Sequence, residues 1–234
     1  MTVIDIGSGT GFPLIELAGR LGKTCKLYGI DPWLNANKRA EQKLKNYGIS
    51  TVEIISASAE QMPFDNNSVD LVVSNLGINN FDRPVVVFIE CNRILKPKGK
   101  LVLTTNLSGH WKEFYNIFYL TLKELGKENL IDALKQEEEH RGTVESISKL
   151  FTCNGFNICR HYEEIFEMKF LDGSAFLNHN FVKLGWIATW MSLFPKEELQ
   201  KIFSALEQNL NSCAEKIGGL TLTVPMAFFE GEKI

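Results

Sequence analysis

The first half of the chain alternates short apolar runs with amphipathic stretches, the pattern of parallel βαβ units. Thr2–Ile6 is a β-rich run closed by glycines. From Pro13 to Leu21, the residues Leu14, Leu17, Ala18 and Leu21 share one helical face, and Pro13 suits a first turn. Lys26–Ile30 predicts a second strand, Asn35–Tyr47 a second helix stopped by Gly48, and Thr51–Ala57 a third strand. Asp70–Asn75 predicts the fourth strand and Pro84–Leu95 a helix, with Lys96-Pro97-Lys98-Gly99 a turn feeding a fifth strand over Lys100–Thr105. The strands carry near-continuous Val, Ile and Leu, as expected where helices cover both faces of a sheet.

The second half is less regular. Trp111–Arg141 and Val144–Thr152 read as helical, the latter ending near Gly155, and a sixth strand falls within Asn157–Leu171. Ser174–Phe194 is aromatic and reads as an apolar helix, and Lys196–Ile217 as an amphipathic one. Leu220–Phe229 returns to β character as the last strand. The expected fold class is therefore α/β, a Rossmann-like doubly wound sheet with a helical cap (about residues 172–218) inserted before the last strand. Without an internal repeat or a low-complexity linker, a single domain over residues 1–234 is expected.

Composition narrows the function classes. The chain has 234 residues, 44% of them apolar, enough for one sizeable core. Its net charge of −3 comes from interspersed acids and bases, and no basic stripe suits nucleic acid. No window has the apolar length of a membrane span, and few basic residues flank the aromatic stretch, so no stable membrane association is expected. The N-terminus lacks the pattern of a signal peptide. Five cysteines form no CxxC, and a reducing, cytoplasmic setting without a metal site fits them best.

The candidate chemistry starts at Val3-Ile4-Asp5-Ile6-Gly7-Ser8-Gly9-Thr10-Gly11-Phe12-Pro13. Glycines at a strand-to-helix turn let backbone approach a ligand, although such a turn is also simply a tight connection. The dinucleotide fingerprint G-x-G-x-x-G is not met: its third glycine falls at Phe12 counted from Gly7, or at Leu14 counted from Gly9. The acid at Asp5 suits a ligand with a cationic end better than a pyrophosphate. Asp31, twenty positions after Gly11, can accept hydrogen bonds from ribose hydroxyls, or alternatively cap the helix beyond Pro32. Ser58-Ala59-Glu60 and Asn75-Leu76 end the third and fourth strands. All four segments would lie along the carboxyl edge of the sheet, where ligands of open α/β folds bind.

Taken in order, Asp5–Gly11, Asp31, the Ala59-Glu60-x-x-Pro63-Phe64 run, Asp70-Leu71-Val72 and Arg93-Ile94-Leu95-Lys96-Pro97-Lys98-Gly99 resemble the class I S-adenosylmethionine (SAM)-dependent methyltransferases. The resemblance covers roughly the first 105 residues and is closest to the branch of quinone, menaquinone and other small-molecule methyltransferases. It implies a seven-stranded sheet with one antiparallel strand, SAM as cofactor over residues 1–105, and a small-molecule acceptor. Asp5, Gly7 and Gly9, with Ser8 and Gly11 beside them, would border the methionine end. Asp31 would bind the ribose, Pro32 would flank the adenine, Ser58, Ala59 and Glu60 would approach its edge, and Asn75 and Leu76 would floor the pocket. Two departures stand out: Ser58 replaces the aspartate common in relatives, and the chain begins almost directly on its first strand. The helices that relatives carry there close over SAM, so weakened cofactor binding is an expectation.

Methyl transfer from a sulfonium needs alignment more than acid–base chemistry. No catalytic constellation is evident. His110, His179 and Tyr115 are the candidates to touch an acceptor, whereas His140 and His161 read as solvated or structural. Phe176, Phe181, Trp186, Trp190 and Phe194 either pack the insertion or line an apolar pocket. The competing functions are a non-catalytic SAM-binding module and an NAD(P)-dependent oxidoreductase, and neither the acceptor nor the oligomeric state follows from the sequence.

Overall fold

The computed structural model describes residues 1–234. Its strands are β1 (Thr2–Ile6), β2 (Lys26–Ile30), β3 (Val52–Ile55), β4 (Val69–Asn75), β5 (Leu95–Asn106), β6 (Phe156–Phe170) and β7 (Leu220–Lys233). Together they form a seven-stranded sheet of order β3-β2-β1-β4-β5-β7-β6. The β1–β2, β2–β3, β1–β4 and β4–β5 pairs are parallel, and β7 runs antiparallel to β5. This is the expected α/β class with an antiparallel last strand. β6 lies at the edge of the sheet, and its residues from Arg160 to Glu167 are exposed.

The helices are α1 (Leu14–Leu21), α2 (Leu34–Asn46), α3 (Pro84–Ile94), α4 (Lys112–Glu124), α5 (Ile131–Glu139), α6 (Val144–Cys153), α7 (Gly173–Asn178), α8 (Asn180–Val182), α9 (Ala188–Ser192) and α10 (Leu199–Ile217). The helical insertion between β6 and β7 is thus present as expected. The single apolar helix expected over Ser174–Phe194 is instead broken into α7, α8, a π-helical turn at Lys183–Ile187 and α9. The break has a local cause: His179 adopts extended backbone (ψ 131°) and its Nδ1 accepts the Phe181 N–H at 3.3 Å, capping α8. The expected long helix over Trp111–Arg141 likewise divides, into α4 and α5 with a 3-10 turn at Glu128–Leu130.

The chain falls into two compact units: residues 1–106, 142–163 and 226–234, and residues 107–141 and 164–225. The second unit therefore includes 107–141 as well as the insertion. In the first unit, Val3, Leu14, Cys25 and Leu27 form a core cluster extended by Leu17, Leu21, Val52, Ile54 and Leu71. A separate group joins α3 to α6, with the Phe88 and Phe151 rings edge-on at 5.0 Å and Phe151 stacked on Phe229 at 5.8 Å. Register at the far end is held by buried Glu230, which accepts from Lys100 on β5 and, at 2.7 Å, from Arg160 Nε on β6.

The second unit is packed by aromatic rings. Trp190 is fully buried and stacks on Phe114 at 4.5 Å, with Phe176, Trp111 and Tyr115 around it. Packing, rather than pocket lining, accounts for Trp190. Trp190→Ala is expected to lower stability by about 3–5 kcal/mol, the cost of an unfilled aromatic cavity. Urea unfolding measures this, and an unchanged midpoint would show that the ring is not packed as described.

Candidate functional site

Strand order reverses between β1 and β4, which opens a crevice at the carboxyl edge of the first unit. Gly7, at the end of β1, has φ 69°, a region open to glycine, and its N–H donates to Ile30 O at 2.8 Å. A small cleft is lined there by Gly7, Ile30, Pro32, Ser58, Ala59, Glu60, Asn80, Phe81, Asp82 and Val87. Five of the residues singled out from sequence (Gly7, Pro32, Ser58, Ala59 and Glu60) thus meet on one cavity although they come from three different strand ends.

Asp31 sits behind this lining, buried, with each carboxylate oxygen bound to one amide: Gly9 N–H at 2.9 Å and Trp33 N–H at 2.8 Å. It therefore links the glycine turn to the start of α2, the capping role weighed above. A carboxylate oxygen can accept more than one hydrogen bond, so capacity for a ligand hydroxyl remains. Lys43 of α2 adds a second tie, donating to Thr10 O at 2.7 Å. Glycine is required at Gly29 beneath the turn, because a Cβ there would meet Leu14 Cδ2 at 2.6 Å and Ser8 Oγ at 2.9 Å.

Asp5, Ser8, Gly9, Gly11, Asn75 and Leu76 do not line the cleft. Asp5 is fully buried and neither carboxylate oxygen makes a hydrogen bond; Ser8 Oγ is also unpartnered. Burial pushes the Asp5 carboxyl up to about 8; the Leu14 amide, beyond hydrogen-bond reach of either oxygen, tempers this, and the Asp31 charge adds to it. Asn75 Oδ1 accepts the Thr104 hydroxyl at 2.6 Å. Leu76 has φ 62°, uncommon for a residue with a side chain, and such strain concentrates at ligand sites.

The lining residues that sequence reasoning missed are Ile30, Asn80, Phe81, Asp82 and Val87. Phe81 is the informative one: its Cε1 lies 3.6 Å from where a Gly7 Cβ would be, so the ring lies over the glycine turn. A salt bridge between Arg83 and Glu60 joins the loop after β4 to the loop after β3.

Within the second unit, His110 is buried and neither ring nitrogen finds a partner. Burial, helped by the Arg141 and His140 charges, pushes its imidazole down to about 3, so it is a poor proton acceptor at neutral pH. Tyr115 is buried, its hydroxyl accepts from Trp190 Nε1 at 3.4 Å, and burial raises its pKa. His179 is exposed and spent on capping α8. None of the three forms a base–nucleophile pair.

Fold and cleft define a class: a Rossmann-like α/β domain with a cleft at the topological switch point. Residues 4–103 match the family model described as "Methyltransferase domain". Over 130 residues the chain is 31% identical to the demethylmenaquinone methyltransferase of Oceanobacillus iheyensis, covering 54% of this chain and 55% of that protein. The corresponding enzyme of Geobacillus stearothermophilus is 35% identical over 128 residues, covering 53% and 55%. The chain spans about half the length of these relatives. Phosphoethanolamine N-methyltransferase 2 of Haemonchus contortus, solved with S-adenosyl-L-methionine, shares the fold at TM-score 0.56 and 21% identity, covering all of this chain and 48% of that one. The match to a methyltransferase domain thus lies over β1 to β5, and the relatives named here are demethylmenaquinone methyltransferases.

No helix is long and apolar enough to cross a membrane, and no group of three or more His, Cys, Asp or Glu is placed to hold a metal ion.

Proposed function

We propose that this chain binds SAM in the cleft of the first unit and transfers its methyl group to a small, quinone-like molecule. The observation that carries the reading is the cleft itself, with Gly7, Pro32, Ser58, Ala59 and Glu60 converging from the ends of β1, β2 and β3. The residues present suit the cofactor. Gly7 offers a surface without a side chain, Asp31 keeps acceptor capacity for a ribose, and the Ser58–Glu60 loop supplies hydroxyl and carboxylate acceptors for an adenine edge. The bound cofactor supplies an activated methyl carbon. The protein's part is to hold donor and acceptor in line and exclude water. The demethylmenaquinone methyltransferases among its relatives support a flat, conjugated acceptor.

Calorimetric titration with SAM, and with NAD as control, tests this. Micromolar SAM affinity without NAD binding is the expected result. A folded chain that ignores SAM, or takes NAD equally well, would refute it.

A further inference from the structure

The second unit contains buried polar groups that the cofactor cleft does not use. Arg141 is 6% exposed, yet it forms no ion pair and its Nη1 has no hydrogen-bond partner. His110, 3% exposed, leaves both ring nitrogens unpartnered, and Trp111, fully buried, leaves its indole Nε1 unpartnered. The three belong to one cluster. The His110 and Trp111 rings stack at 4.7 Å, and Arg141 reaches the Tyr115 hydroxyl, a neutral partner, while its charge acts on His110.

A buried guanidinium without an anion is among the costliest arrangements in a folded protein, and orphaned buried donors are rare. Two further features mark the cluster as functional. Trp111 has φ 57°, left-handed backbone that a bulky residue adopts only under constraint. The π-helical turn Lys183–Ile187 carries Trp186 onto it, 4.8 Å from Trp111 and 6.5 Å from His110, and π-helical turns recur at binding sites. Trp186 is only half-buried, and Leu184 beside it is 89% exposed.

We propose that this cluster is a binding site for a flat organic anion. The anionic oxygen, a carboxylate or an ionised ring hydroxyl, accepts from the Arg141 fork and the Trp111 indole N–H. Its ring lies against the aromatic wall, with Trp186 as the cover that turns aside to admit it. The guanidinium fork matches such an oxygen pair, and Trp faces accept a conjugated ring. As a binding site, it stands without the proposed methyl transfer.

The test is fluorescence titration of the full chain with 2-naphthoate, with 4-nitrophenolate, and with the neutral isostere 2-naphthamide. At least one anion is expected to bind about tenfold or more tighter than the amide, and which one does so tells carboxylate from ionised hydroxyl. Arg141→Met is expected to erase the preference while melting at or above the wild-type temperature, because it removes an uncompensated charge. Arg141→Lys, which keeps the charge but loses the fork, is expected to fall between and serves if the methionine variant does not fold. Equal affinity for anions and amide, a preference that survives loss of Arg141, or no binding up to about 10 mM would overturn the proposal. SAM titrated in parallel separates the two readings: anion preference without SAM binding would leave this site standing and remove methyl transfer.

Discussion

Asp31→Ala is expected to weaken SAM binding by about 1–3 kcal/mol, roughly 5- to 150-fold, through loss of charge-assisted hydrogen bonds to the ribose. Asp31 also holds the Gly9 and Trp33 amides, so part of any loss could come from a loosened glycine turn. A cofactor analogue lacking the ribose 2′-hydroxyl separates the contributions. The wild-type chain should prefer the ribose form, and the variant should bind both forms alike. A variant that keeps the full preference would show that Asp31 serves only the turn. Asp31→Asn retains one acceptor oxygen and is expected to lie between the two.

The second large effect concerns Asp5. Its carboxyl holds its proton in the folded chain up to about pH 8 but titrates near 3.8 when unfolded. Between those values the folded state binds the extra proton, so stability falls as pH rises and levels off above about 8. The slope approaches about 1.4 kcal/mol per pH unit, or about 2 kcal/mol at most across the pH 6.5–8 window in which no other shifted group opposes it. Asp70, Glu90 and Glu230 are shifted the other way by their cationic partners. Their contribution is lost on acidification below the ordinary carboxylate range, and buried His110, near 3 when folded and 6.5 when unfolded, gives a slope of opposite sign below about pH 6.5, which leaves the window from about pH 6.5 to 8 to Asp5. Urea midpoints at several pH values should decline from pH 6.5 to 8 in the wild type and stay level over that range in Asp5→Asn. A wild-type profile that is level from pH 6.5 to 8 would show that Asp5 is ionised or partnered in the folded chain.

Much of this was legible in the residues themselves. β1 and β2 match their predicted bounds because both are short, apolar and closed by turn residues, and β4 is longer by one residue. β6 and β7 were harder to bound. β6 is exposed over most of its length, so no buried face writes a period into its sequence, and its fifteen residues read as uneven alternation. The aromatic insertion failed differently. Its apolar content predicted one helix, but the break comes from one extended residue, His179, and its side-chain cap, which hydrophobic periodicity does not register.

Within the site, residues carrying backbone or charge requirements were readable, and residues positioned by a loop were not. Gly7 and Asp31 advertise themselves by type and spacing. Phe81, Asp82 and Val87 reach the cleft only because a 3-10 turn at Ile78–Asn80 folds back towards the end of β1. The positive φ of Leu76, which begins that path, is a property of the backbone that a leucine does not announce.

The fifteen-residue edge strand β6 bears on how the protein behaves in concentrated solution. A long edge is a template for cross-chain pairing, and here it exposes Tyr162, Ile165 and Phe166. Arg160, Glu163, Glu164, Glu167 and Lys169 are spaced among those side chains, leaving no five-residue stretch free of charge from Arg160 to Lys169. Such gatekeeping charges make stacking of identical edges electrostatically unfavourable, so β6 can remain uncovered without seeding fibrils.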